Sequence, residues 1–248
     1  MSQQFWKTLP LALRLPAAAR QRPRRVDDQR TRPVGAIVIV RRRRGSAADF
    51  HALQIPAALD EAEAWVFEVE RPALVLGSSQ RGQVTVADPA VEVVRRNSGG
   101  GAVLLVPGRC LWIDVLLARD DPRWSDDVGK SSYWLGEVWA SALPGSEVYR
   151  GRLQQTTWGR LVCFGALGPG EVTIAGRKVV GISQRRTRLG ALFQCLVHPD
   201  WEPAGLLARL DLPEADRRRA QVDLHEIAAG PGIPLGDLET AVLAALVA

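Results

Sequence analysis

Lysine is scarce in this chain. Three lysines, Lys7, Lys130 and Lys178, stand against 29 arginines. Where arginine serves as the generic cation, a retained lysine is a candidate for work that a planar, permanently charged guanidinium cannot do. Lys178 is the most telling of the three because of its neighbours. Glu171–Ile174 and Arg177–Ser183 read as two strands, and Ala175-Gly176 between them as the tight turn of a hairpin. Strict alternation puts Lys178 on the face of Val180 and Ile182, and Arg177 on that of Val179. A lysine on such a face can aim its charge into a cleft, where it would polarise a carbonyl or steady a developing anion. The plainer alternative is a solvent-facing hairpin residue, and the apolar company of Lys178 favours the first.

A second segment is Arg95-Arg96-Asn97-Ser98-Gly99-Gly100-Gly101-Ala102-Val103. Successive glycines let backbone N–H groups approach a ligand without side-chain obstruction and adopt positive φ. Such amide arrays hold phosphates or carboxylates, and the two arginines would add charge-assisted bonds to the same anion. Neither GxxxxGK[ST] nor GxGxxG is present, so this is not a nucleotide fingerprint of either common kind. A plain glycine turn between strands, with both arginines in solvent, explains the pattern equally well.

Cys163-Phe164 is the third segment. A nucleophilic cysteine needs access and a nearby cation, and Lys178 one hairpin away is the candidate cation. Taken without other information, Cys110, Cys163 and Cys195 all read as small buried hydrophobes. His51, His198 and His225 are scattered, and no metal-ligand spacing links histidines, cysteines and carboxylates, so no metal site is expected.

The elements that must position these residues follow from local pattern. Ala36–Val40 reads as a strand ending at Arg41–Arg44, Ala57–Phe67 as a helix, and Ala73–Leu76 as a short buried strand. Asp88–Val94 reads as helix or loop, Leu111–Leu117 as a strand, and Asp126–Leu143 as an amphipathic helix with Trp134, Leu135, Val138 and Trp139 on its apolar side. Leu161–Phe164 is short and apolar, Ala191–Val197 is a strand, and 203–210 and 236–247 are helical around the loop Gly230–Pro234. Hairpin-linked strands with interspersed helices define an α+β layered domain. Residues 1–33, broken by four prolines, form a basic arm, leaving 34–248 as a single domain.

Composition narrows the function classes. The chain has 248 residues, 46% hydrophobic and 24% charged, which excludes a wholly disordered or fibrous protein. No run approaches the roughly 20 uncharged apolar residues of a membrane span, so no membrane role is expected. Three widely spaced cysteines fit a reducing compartment, and a cytoplasmic location is the expectation. An Arg-rich, acid-poor start also has the look of a transit peptide. The net charge of +5 is uneven: residues 1–44 carry +10 and the remainder −5. Nucleic-acid binding would rest on the arm alone, and the acidic body argues against it.

Taken together, the glycine segment, the hairpin segment Ala175-Gly176-Arg177-Lys178-Val179-Val180-Gly181-Ile182-Ser183-Gln184-Arg185-Arg186 about seventy-five residues later, and the upstream Pro72–Gln80 resemble the paired signature of the lipoate–protein ligase A and octanoyltransferase superfamily. The resemblance covers roughly residues 60–210. It implies an α+β, biotin/lipoate ligase-like fold with a mixed, largely antiparallel central sheet flanked by helices. It also implies that Arg95, Arg96, Ser98, Gly99, Gly100, Gly101 and Ala102, with Gly176, Gly181 and Ser183 of the hairpin, bind substrate, and that Lys178 contacts the acyl carbonyl.

Two chemistries share that scaffold. A ligase activates free lipoate or octanoate with ATP and Mg, then acylates a lysine of a lipoyl domain. An octanoyltransferase takes octanoyl from its carrier protein through a cysteine thioester and needs no cofactor. One transferase branch carries its nucleophile in a Cys-Phe segment shortly before the hairpin, where Cys163-Phe164 stands. The first expectation is therefore octanoyl transfer through Cys163. The alternatives are an ATP-dependent ligase, or a degenerate relative that binds an acyl group without turnover. The chain departs from the family pattern at Gln194-Cys195, where His-Gly is usual, at Leu104-Leu105-Val106, and at Leu111-Trp112-Ile113-Asp114.

Overall fold

The computed structural model describes residues 38–80 and 88–248. The arm expected over 1–33 lies outside the described residues, as do the first two residues of the expected strand Ala36–Val40.

The chain runs β1 (Val38–Gly45), α1 (Ala47–Ala52), β2 (Ala62–Val69), β3 (Ala73–Leu76), β4 (Glu92–Arg95), β5 (Val103–Leu105) and β6 (Leu111–Ala118). It continues through α2 (Tyr133–Ser141), β7 (Ser146–Val148), β8 (Gln154–Gln155), β9 (Ala166–Leu167), β10 (Val172–Ile174), β11 (Arg177–Arg186) and β12 (Gly190–Val197). Three helices close it: α3 (Ala204–Leu207), α4 (Glu214–Ile227) and α5 (Leu235–Val247). The main sheet has the order β1-β2-β6-β12-β11-β10-β7. Only its β1–β2 pair is parallel, so the sheet is mixed and largely antiparallel as the resemblance implies. A smaller sheet, β4-β3-β5, carries the glycine loop between β4 and β5.

Alternation on the central strands divides the interior into two cores. Ala64, Val66, Ile113, Val115, Leu117 and Phe193 face α2 and α5, meeting Leu135, Trp139, Leu238 and Val242. Trp65, Phe67, Trp112, Leu116 and Leu192 face the other way, towards the small sheet and Leu207 and Leu224 of α3 and α4. A strand covered on both faces reads as an unbroken apolar run. That is why the helix expected over Ala57–Phe67 is instead β2: Ala, Glu and Leu favour a helix locally, but tertiary burial of both faces decides.

Other expectations shift in the same way. β1 continues through Arg41–Arg44, because as the outer strand of the described sheet it can present arginines to solvent and to carboxylates, with Arg41 on Glu63, Arg42 on Glu239 and Arg44 on Glu68 and Glu70. The stretch expected as helix or loop at Asp88–Val94 ends in β4, which pairs parallel with β3. The expected long helix Asp126–Leu143 begins only at Tyr133, since turns fill the residues before it. Helix α4, solvent-facing over most of its length, has too little apolar periodicity to be read from sequence.

The hairpin forms as expected. Ala175 (φ 50) and Gly176 (φ 75) both adopt positive φ, the requirement of a two-residue primed turn. A register shift between Val172 and Thr173 breaks the alternation assumed for β11. Val179 and Val180 therefore both join the core against α2 and α5. Lys178 is not on the face of Val180: its ammonium lies 5.0 Å from the centre of the Phe164 ring, which belongs to the opposite core.

Candidate active site

The glycine loop and the cysteine segment are separated by about 60 residues and laid side by side in space. Ala102 N–H donates to the Leu161 carbonyl (2.8 Å) and Cys163 N–H to the Ala102 carbonyl (3.0 Å), a single parallel bridge. The glycines explain the closeness. A Cβ at Gly101 would stand 2.5 Å from the Val162 carbonyl carbon and 2.7 Å from Cys163 N. Gly100 has φ +94, a conformation L side chains rarely adopt, and Gly99 has open space around it.

The arginines of the motif both bond to backbone oxygens. Arg96 is buried and donates to the carbonyls of Gly99 (3.2 and 2.8 Å) and Gly101 (2.9 Å). Arg95 is exposed and reaches the Gly77 carbonyl (3.1 Å). Arg96 thus shapes the glycine loop by gripping its backbone oxygens, while Arg95 ties β4 to the segment after β3. Gln80 adds a further tie, accepting from Gly77 N–H (2.9 Å) and donating to the Arg160 and Leu161 carbonyls (3.3 and 3.0 Å).

Between these segments and the main sheet lies a cleft. Val75, Val103, Leu105, Trp112, Phe164 and Leu196 give it apolar walls, and Arg96, Cys163, Gly181, Ser183, Gln194 and Cys195 complete it with His51. Of the residues expected to form the site, Arg96, Cys163, Gly181 and Ser183 border this cleft. Ser98 stands one hydrogen bond behind, linked to Ser183 Oγ (3.2 Å) and Gln194 Oε1 (3.2 Å). Arg95, Gly99, Gly100, Gly101, Ala102 and Gly176 are not on its wall; the glycine loop supports it and Gly176 makes the hairpin turn.

Lys178 stands beside Cys163 without lining the cleft. Its ammonium donates to the Cys163 carbonyl (3.1 Å) and the Ala166 carbonyl (2.9 Å) and pairs with Glu171 Oε1 (2.7 Å). Three N–H groups meet three acceptors, so Lys178 holds the backbone of the cysteine turn rather than the sulfur.

Several residues that sequence reading passed over belong here. Asp114 on β6 is buried and accepts from Trp112 Nε1 (2.6 Å) and Gln194 Nε2 (3.2 Å). Burial pushes its carboxyl up to about 7, and those two hydrogen bonds pull in the opposite sense. Asp114 and Gln194 are register partners, and a polar row runs Trp112, Asp114, Gln194, Ser98, Ser183 along one side of the cleft. His51 packs on Trp112 (4.8 Å between ring centres), and its imidazole is pushed down to about 4 by burial and then by the Arg96 charge. His198 packs on Phe164 (5.2 Å) and is likewise pushed down to about 4 by burial. Both rings are neutral near pH 7. No local signal marks His51, which lies far in sequence from every other wall residue; for Asp114 the signal is an acid inside an otherwise apolar strand.

Cys195 is fully buried and its thiol is raised by burial, a packing role at the base of the cleft. Cys163 is half-buried and presents itself to the cleft. Among the described residues no cluster of three or more histidines, cysteines and carboxylates could hold a metal ion, and no helix is long and apolar enough to cross a membrane.

The fold is shared with solved structures. A bipartite lipoate protein ligase system from Thermoplasma acidophilum, described with its E2 lipoyl domain, matches at TM-score 0.62 and 16% identity, over 86% of this chain and 82% of that one. A Thermoplasma acidophilum protein solved with bound lipoic acid matches at TM-score 0.58 and 14% identity, over 86% and 84%. A lipoate-protein ligase A solved with ATP matches at TM-score 0.54 and 13% identity, over 86% and 84%. A comparison with curated proteins finds no match. The family model described as the biotin/lipoate A/B protein ligase family matches residues 75–199, half of the chain. The chain belongs to that family.

Proposed function

We propose that the protein transfers an octanoyl or lipoyl group to a lysine of a lipoyl-domain protein, with Cys163 as the acyl acceptor. The observation that carries this reading is Cys163 on the wall of an apolar cleft, with the glycine loop bridged to its backbone. In the first step the Cys163 sulfur attacks the carbonyl of an octanoyl thioester. The carrier thiol leaves with the proton that Cys163 gives up, and a thioester forms on the protein. In the second, the amine of the acceptor lysine attacks that thioester. An amide forms, the C–S bond breaks, and Cys163 regains a proton. Apolar walls suit an uncharged chain.

The ATP-dependent route is the second reading, favoured by the fold shared with a ligase solved with ATP. A triphosphate with Mg needs cations with donors to spare. Of the two buried cations here, Lys178 commits its three N–H groups to backbone carbonyls and Glu171, whereas Arg96 engages only Nε and Nη2, on backbone carbonyls. A binding relative without turnover would show neither reaction.

Incubation with a lipoyl domain separates these readings by the mass of the acceptor. Octanoyl-carrier protein without ATP is expected to acylate it, and Cys163→Ala to abolish that. Acylation only from free acid plus ATP, undiminished in Cys163→Ala, would overturn the thioester route in favour of the ligase. No acylation from either donor would leave the binding relative.

A further inference from the structure

Glu171 is the most heavily engaged carboxylate of the site. Its Oε1 accepts from Ile182 N–H (3.1 Å) besides pairing with Lys178, and its Oε2 accepts from Gly168 N–H (2.7 Å). One side chain thus ties the loop after the cysteine turn, strand β11 beyond the lysine, and the ammonium itself. The Lys178 and Glu171 side chains are 3% and 7% exposed, so neither end of the pair is swivelling in solvent.

A buried pair can exist merely to neutralise a charge. Here the geometry does more. With one ammonium proton fixed on Glu171, the other two point at the carbonyls of Cys163 and Ala166, the start and the sequel of the turn that carries the sulfur. The titratable groups around them are Cys163 from the turn and, from the main sheet, Cys195, on which the charges of Asp114 and Glu171 both act. None of these offers Lys178 a second carboxylate bond among the described ion pairs.

We propose that Glu171 is a positioning residue: it orients the Lys178 ammonium so that Lys178 holds the Cys163 turn, and so sets where the sulfur stands in the cleft. Its kinetic consequence rests on the reading of Cys163 as acyl acceptor.

The full chain has only three lysines, so labelling lysine with ¹⁵N at Nζ gives three ammonium signals, and Lys178→Arg identifies the one from Lys178. That signal should be shifted from the other two, with slow proton exchange. Glu171→Gln is expected to move it and to speed its exchange by about tenfold or more. Acylation of Cys163 should fall by about tenfold or more, seen in kcat, while KM for the octanoyl donor stays within about twofold. Glu171→Asp, which keeps the charge at shorter reach, should restore part of both and covers a Gln variant that fails to fold. An unmoved Lys178 signal in the Gln variant would overturn the proposal, as would a moved signal with undiminished kcat. If the wild-type protein forms no thioester at all, the reading of Cys163 fails while the Lys178 signal still tests the orientation.

Discussion

At the scale of the residue, Asp114 is the buried acid that the site must carry. Its native carboxyl keeps a proton up to about 7, whereas in the unfolded chain it gives the proton up near 4. Between those values the native state binds more protons than the unfolded one, so this group lowers stability as pH rises. His51 and His198 act oppositely: held neutral down to about 4, they contribute stability present above about 6.5 and lost as pH falls towards 4. Both histidines remain in Asp114→Asn, so their effect cancels in the difference between variant and wild type. Urea unfolding of the two proteins should show the variant gaining relative stability from about pH 4 to about pH 7, by about 1.4 kcal/mol per pH unit at most, and little further change above that. A difference that does not change with pH would mean that Asp114 titrates as an ordinary carboxylate. Lys178 was legible in sequence because lysine is rare here, yet its partner Glu171 was not: an acid at the start of a strand carries no mark of the bulge and the turn that bring it under the ammonium.

At the scale of the element, the three glycines of the loop do different jobs, and substitution separates them. Gly101 faces backbone atoms that cannot swing away, so Gly101→Ala must push the loop off the cysteine segment, at a cost of about 1–3 kcal/mol. Gly99 meets nothing within 4 Å, so Gly99→Ala should unfold at the wild-type urea concentration. Denaturation of both variants checks this, and equal destabilisation would contradict the assignment of Gly101 to the bridge. The triple glycine was readable as a close approach of backbone, but what it approaches is a second stretch of chain about 60 residues away. Local pattern likewise recovered β6, β12, the hairpin and α5, whose apolar runs match their burial. It failed at β2, where burial on both faces overrides propensity, and at α4, which buries only Ala220 and Leu224.

At the scale of the whole molecule, two sheets meet along one seam, and the cleft lies in it. The main sheet supplies Trp112, Gln194 and Gly181, the small sheet Val75, Val103 and Leu105, and the turn after Leu161 supplies Cys163 and Phe164. No single segment makes the cavity, which is why the family signature is spread over more than a hundred residues. The Cys163 sulfur is a half-buried nucleophile on the described wall, free of a hydrogen-bonded partner side chain. The central claim is that this sulfur takes up the acyl group. The most direct test is the intact mass of the protein after incubation with octanoyl-carrier protein alone, without ATP or acceptor, followed by peptide mapping. One octanoyl group on Cys163, released by neutral hydroxylamine as a thioester must be, is the expected result. An unmodified Cys163 in protein that acylates a lipoyl domain only when given free acid and ATP would contradict it.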